Sequence, residues 1–206
     1  MANDDFPRGL VPLSLRPLGI HYYRASTGAD IFIGDSVNRN ASGLVGVSSA
    51  ATIGVEQLLG VAVGFAGPRK AGTATDDPYL DASDLTTLAT GLETGDRFIA
   101  VADDPNQEFY IQEDTGGTAL SLLEIGAAIA VVYRTAGSGN TTSGFSQSEI
   151  DASGFVTTTA AQLQIIRRHD NINADGTYNA VGDYAKWVVK ILHRQDGGAA
   201  NAAPIV

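Results

Sequence analysis

"RFIAVADDPNQEFYIQE", Arg97 to Glu113, decides the fold class. Its two halves, "RFIAVAD" and "EFYIQE", are short runs of aromatic and β-branched residues, the composition of strands. Between them Asp103-Asp104-Pro105-Asn106 reads as a β-turn, with Pro105 fixing φ and Asn106 taking the next turn position. Asp103 and Asp104 are also a carboxylate pair of the kind that serves acid–base chemistry, but turn formation accounts for all four residues at once.

The same punctuation recurs along the chain. Its 24 glycines mostly separate short runs rich in Val, Ile, Phe, Tyr and Thr. Besides the opening pair, "IHYYRA", "IFIG", "GLVGV", "LLGVAVGF", "AAIAVVYR", "AQLQIIRRH" and "YAKWVVKILHR" read as strands. Helical periodicity is confined to "DASDLTTLATG", where Asp81 or Ser83 caps, and "TALSLLEIG", which Gly126 ends. The expected fold is mainly β, an antiparallel sandwich or barrel, with a jelly roll as one form of it. An extended N-terminal arm and one or two short helices complete it. No repeat of 20 to 50 residues supports a solenoid or propeller.

The ends differ from the middle. "FPRGLVPLSLRPLG" spaces Pro7, Pro12 and Pro17 among apolar residues, a density that resists helix and central strand. Residues 1–20 therefore read as an extended arm whose Leu10, Val11, Leu13, Leu15 and Leu18 need a surface, the chain's own or a neighbour's. Residues 21–195 form the β-rich domain, and 196–206 a flexible tail. Within the domain, residues 71–160 carry 14 acids against Arg97 and Arg134, a balance of −12 within a net charge of −10. That segment is open to being a separate lobe.

Composition excludes several classes. Without cysteine there is no disulfide framework, zinc–thiolate centre or cysteine nucleophile, which suits folding in a reducing cytoplasm. Asp4 and Asp5 stand where a secretory signal carries positive charge. The apolar runs "LLGVAVGFAG" and "IGAAIAVVY" reach about half the roughly 20 residues of a membrane span. An acidic chain repels phosphate backbones, so neither nucleic acid nor membrane is expected as a partner.

Four motifs invite chemistry, and each is incomplete. "NINADG", Asn171 to Gly176, begins like a calcium loop, yet its twelfth position is Gly182 rather than glutamate and its flanks alternate like strands. It reads as a connection within the long 170–183 loop, which suits contact with a symmetry mate. "FIGDSV" places Ser36 in an esterase-like Gly-Asp-Ser block. The matching D-x-x-H is missing, because Leu18, Ile166 and Lys190 stand three before His21, His169 and His193. "GFAGPRKAGT" lacks the glycine before and the hydroxyl after Lys70 that a phosphate loop requires. The three histidines are scattered. No catalytic, metal or cofactor residue is expected. Trp187, alternating with Lys186, Val188 and Lys190, anchors a core or an intersubunit seam.

Five segments taken together, "PRGLVP", "FIGDSV", "LLGVAVGF", "VADDPNQEFYIQED" and "YAKWVVKILHR", resemble the capsid decoration, or cement, proteins encoded beside the major capsid protein in tailed bacteriophages. The likeness spans most of residues 5–194. It implies a β-rich homotrimer on the outer surface of the virion, with the phage major capsid protein as partner and no active site. Contact residues would be Phe6, Pro7, Arg8, Leu10, Val11 and Leu13 of the arm, with Arg16 and Arg24 as charge partners and Trp187 at a seam. A host-surface or glycan-binding head or tail protein is the alternative, motivated by Tyr22, Tyr23, Tyr79 and Tyr110.

Overall fold

In a computed structural model of the chain, the central turn forms as its residues dictate: the Gln107 N–H donates to the Asp104 carbonyl (3.1 Å) and the Asn106 N–H to Asp104 Oδ1 (2.7 Å). The structure describes residues 3, 5–14, 19–26, 29–48, 57–66, 79–81, 97–115, 119–132, 139–155, 162–170, 176–192 and 195. The turn does not fold a hairpin. It carries the chain from one sheet to the other.

Eleven strands are described: β1 (Val11–Pro12), β2 (Ile20–Arg24), β3 (Ser36–Arg39), β4 (Val45–Val47), β5 (Gly60–Ala66), β6 (Phe98–Ala102), β7 (Phe109–Gln112), β8 (Ala128–Val132), β9 (Glu149–Phe155), β10 (Leu163–Arg168) and β11 (Lys186–Ile191). They make a six-stranded sheet in the order β1-β7-β11-β10-β8-β9 and a five-stranded sheet in the order β2-β6-β5-β3-β4. All strand pairs within both sheets are antiparallel. β3–β4, β5–β6, β8–β9 and β10–β11 pair as sequence neighbours, while the remaining neighbours in both sheets are strands apart in sequence.

Both sheets curl. Single parallel bridges, Ala25 to Val45 in the smaller sheet and Glu113 to Ile150 in the larger, draw outlying strands together. Register shifts in β5 between Ala62 and Gly64, and in β10 between Ile165 and Arg167, supply the extra local twist. The expected sandwich and barrel are thus combined as two curled antiparallel sheets.

Alternation sorts side chains into two cores. Val61 and Ala102 of the smaller sheet join Phe109, Ile111, Leu163, Ile165, Trp187, Val189 and Ile191 of the larger sheet in one cluster. Ala62, Ile99 and Val101, on the other face of the same strands, join Ala25, Ile31, Val37, Val45, Leu59 and Leu80 in a second. Large side chains buried this completely each contribute about 1.5–3 kcal/mol.

Some expectations are corrected. The described strands of residues 71–160 do not gather in one lobe, because β6 lies in the smaller sheet and β7, β8 and β9 in the larger. Of the two surfaces open to the arm, it lies on the chain's own. Val11 and Pro12 pair with Tyr110 and Phe109, and the Leu13 N–H donates to the Glu108 carbonyl at 3.0 Å. Proline is tolerated there because β1 is an edge strand. "IFIG" forms bridges at Ile31 and Ile33 rather than a strand. "TALSLLEIG" yields one turn of 3-10 helix, Leu122–Glu124, while the helix expected after Asp81 and the tail after Gln195 lie outside the described residues.

Candidate interaction surface

The expected contact residues divide sharply by burial. Leu10 is 1% exposed and Trp187 0%, both packed within the chain's own core, so neither side chain lies on its outer surface. Trp187 is inside because β11 alternates: Trp187, Val189 and Ile191 face the core while Lys186 and Lys190 do not join it. Phe6, 54% exposed, remains on the surface, with the Arg8 guanidinium 4.6 Å from its ring centroid and 5.1 Å from that of Phe145. Pro7, Val11 and Leu13 are half-buried along the arm. Arg24 is exposed on β2, and Arg16 lies outside the described residues.

The arm is fastened at four points. Asn3, buried, donates to the carbonyls of Ala180 (3.0 Å) and Asp183 (2.9 Å) and accepts from the Ala180 N–H (3.0 Å). The Phe6 N–H donates to Gln112 Oε1 at 3.0 Å, and Gln112 Nε2 donates to Asp5 (3.0 Å) and to buried Glu149 (2.9 Å). The Leu10 N–H donates to the Gly34 carbonyl at 2.9 Å, where the arm crosses "FIGDSV". β1 then pairs with β7. The crossing needs glycine on both sides: Gly9 has φ +66° and Gly34 φ +96°, and a Cβ on Gly34 would lie 2.1 Å from the Arg8 carbonyl oxygen.

"FIGDSV" serves as this junction. Ile33 exchanges backbone hydrogen bonds with residues 144 and 146, and Gly34 and Asp35 with Ala62. Asp35 accepts from the Phe32 N–H at 2.8 Å and from the Ser146 hydroxyl. Burial outweighs these bonds and pushes its carboxyl up to about 6. Ser36 begins β3 and is 1% exposed, a buried strand residue.

A second buried carboxylate lies in the larger core. Phe109, Ile111 and Glu113 share one face of β7 and its extension, and Glu113 Oε2 accepts from the Trp187 indole N–H at 2.6 Å. Its other oxygen is buried without a hydrogen bond. Burial pushes the Glu113 carboxyl up to about 7, the bonds from Trp187 and the Leu120 backbone opposing and the charges of Asp183 and Asp114 adding to the rise.

Asp103, read as a turn residue, also accepts from the Tyr23 hydroxyl and lies 2.7 Å from His21 Nδ1. Burial first, then the bond to Asp103, raises the Tyr23 phenol to about 12. Of the tyrosines suggested for glycan contact, Tyr22 is 63% exposed, Tyr79 stacks on Phe32 at 4.6 Å and Tyr110 packs on His169 at 4.7 Å. Asn171 to Asp175 lie outside the described residues, and among those described no three His, Asp or Glu side chains gather as a metal site.

The surface that sequence reasoning missed is the turn after Leu120. Leu122, Leu123 and Ile125 are 53%, 92% and 45% exposed on one 3-10 turn. The backbone beneath them is firmly held. Ser121 and Glu124 form a reciprocal capping box, whose bond from the Ser121 hydroxyl lowers the Glu124 carboxyl below its usual range. Gly126 and Ala127 then exchange hydrogen bonds with Ile165 at 2.7 and 3.0 Å. The signal was legible: S-x-x-E with Gly126 two residues later leaves one turn, too short to bury a face.

Compared with protein-family models, with curated proteins and with solved structures, the chain matches none.

Proposed function

We propose that the chain is a capsid decoration protein of a tailed bacteriophage, binding the outer face of an icosahedral head and holding capsomers together. The observation that carries this reading is the capped turn displaying Leu122, Leu123 and Ile125. Apolar side chains held outward on a fixed backbone lose little entropy on docking. Exposed Phe6 and the five-segment resemblance point the same way, and the acidic balance suits a surface away from packaged DNA. In this reading trimers span the junctions between capsomers, and three modest contacts act together through effective concentration. The protein performs no covalent chemistry.

The test compares heads assembled with and without the chain. Decorated heads withstand higher temperature or internal pressure, and Leu123→Asp protein, folded normally, fails to protect them. Equal heat resistance with and without the chain overturns the reading. The glycan-binding alternative draws on Tyr22 and Tyr178, 63% and 75% exposed, and would instead show glycan-array binding by the isolated protein.

A further inference from the structure

The arm is held lightly for a segment that completes a core. Its described residues contribute one fully buried apolar side chain, Leu10, a two-residue ladder and a few hydrogen bonds anchored on Asn3, Gln112 and Gly34. A set this small opens locally while the sheets stay folded. Opening would bare the edge of β7, and an unpaired strand edge takes up any chain that offers a matching strand. The best match is already known, because the groove is complementary to this sequence.

We infer that the arm, Asn3 with residues 5–14, exchanges between copies, docking into the groove of a second molecule of this chain. Leu10 then fills the second copy's core, and the Phe6 N–H bonds to its Gln112. Every contact made within one chain is available between two, since both carry the same sequence, and exchange of an identical element is a low-cost route to association. Tethering gives the chain's own arm an effective concentration in the millimolar range, so dilute protein keeps its arm and exchange appears where copies are crowded. The inference rests on the arm and its groove, and stands whether or not the chain decorates a capsid.

The chain has no cysteine, which makes the test direct. Val11 and Tyr110 are opposed in the β1–β7 register, at the spacing a disulfide needs. V11C and Y110C proteins are mixed at about 1 mM, where exchange competes with tethering, and oxidised slowly. The double variant V11C/Y110C, which closes within one chain, verifies the geometry.

The mixture is expected to accumulate covalent heterodimer at least several-fold faster than either single variant alone forms homodimer. Gly9→Ala in the V11C chain should suppress it, because the added Cβ would meet the Gly34 carbonyl oxygen at 2.4 Å. L13C with E108C, the neighbouring pair, repeats the experiment should the first pair disturb folding. Cross-linking in the mixture no faster than in the single variants, or indifferent to Gly9→Ala, overturns the inference.

Discussion

Replacing Glu113 by glutamine should change how stability depends on pH. In the folded chain the carboxyl sits beneath Trp187 with one oxygen unbonded, raised from the ordinary 4.5 to about 7. A carboxyl raised by folding favours the folded state when protonated. Its contribution is fully present below about 4.5 and is lost as pH climbs through about 7. The size of the rise corresponds to roughly 3 kcal/mol between those limits. Glutamine keeps an acceptor for the indole N–H and carries no charge at any pH, but its amide places a buried donor on the unbonded side, at a constant cost of about 1–3 kcal/mol. The stability difference between variant and wild type should therefore shift in the variant's favour by about 3 kcal/mol from pH 4.5 to 8. Urea denaturation at the two pH values measures it, with Trp187, the single tryptophan, as reporter. The slope contributed by Asp35, raised to about 6, appears in both proteins and cancels. Parallel pH profiles for the two proteins would refute the placement of Glu113 as a carboxylate whose burial outweighs its hydrogen bonds.

Three further outcomes follow from the same geometry. Gly34→Ala forces a side chain into φ +96° against the Arg8 carbonyl, costing about 1–3 kcal/mol and loosening the arm, so that trypsin cuts after Arg8 faster than in wild type. Gln112→Ala removes a donor from buried Glu149 and the acceptor of the Phe6 N–H, and should cost about 1–3 kcal/mol in thermal or urea melts with the same gain in trypsin sensitivity. Leu123→Asp, at a side chain 92% exposed, should leave stability within about 0.5 kcal/mol of wild type while abolishing association with heads.

Much of the fold was legible because its strands carry their own signal. β2, β5, β6, β7, β8, β10 and β11 coincide with apolar or aromatic runs, and the Asp104 turn with its proline and asparagine. β3 and β9 gave no such signal. Ser-Val-Asn-Arg is mostly polar and Glu-Ile-Asp-Ala-Ser-Gly-Phe interleaves polar with small residues, and among the described side chains core contact comes from Val37 in one and from Ile150 and Ala152 in the other. Such strands exist because their neighbours offer backbone partners, which is tertiary information. The arm was legible as extended but not as edge strand, since docking depends on two glycines 25 residues apart meeting at Gly9 and Gly34. Period-two alternation in β7 and its extension already put Glu113 on the face of Phe109 and Ile111, yet only the register with β11 brings Trp187 to it. The candidate contact residues were misassigned at first reading. Side chains chosen as apolar and therefore sticky, Leu10 and Trp187, were apolar because they are core, whereas the exposed leucines lay in a segment read as helix.

The central claim is that this chain works by joining other subunits, and the most direct measurement is its copy number in intact, purified phage particles. Quantitative mass spectrometry against the major capsid protein should find the chain at tens to hundreds of copies per head, with surface labelling placing it outside the shell. Particles holding no copies contradict the claim, and six or twelve copies would make it a tail or vertex component instead.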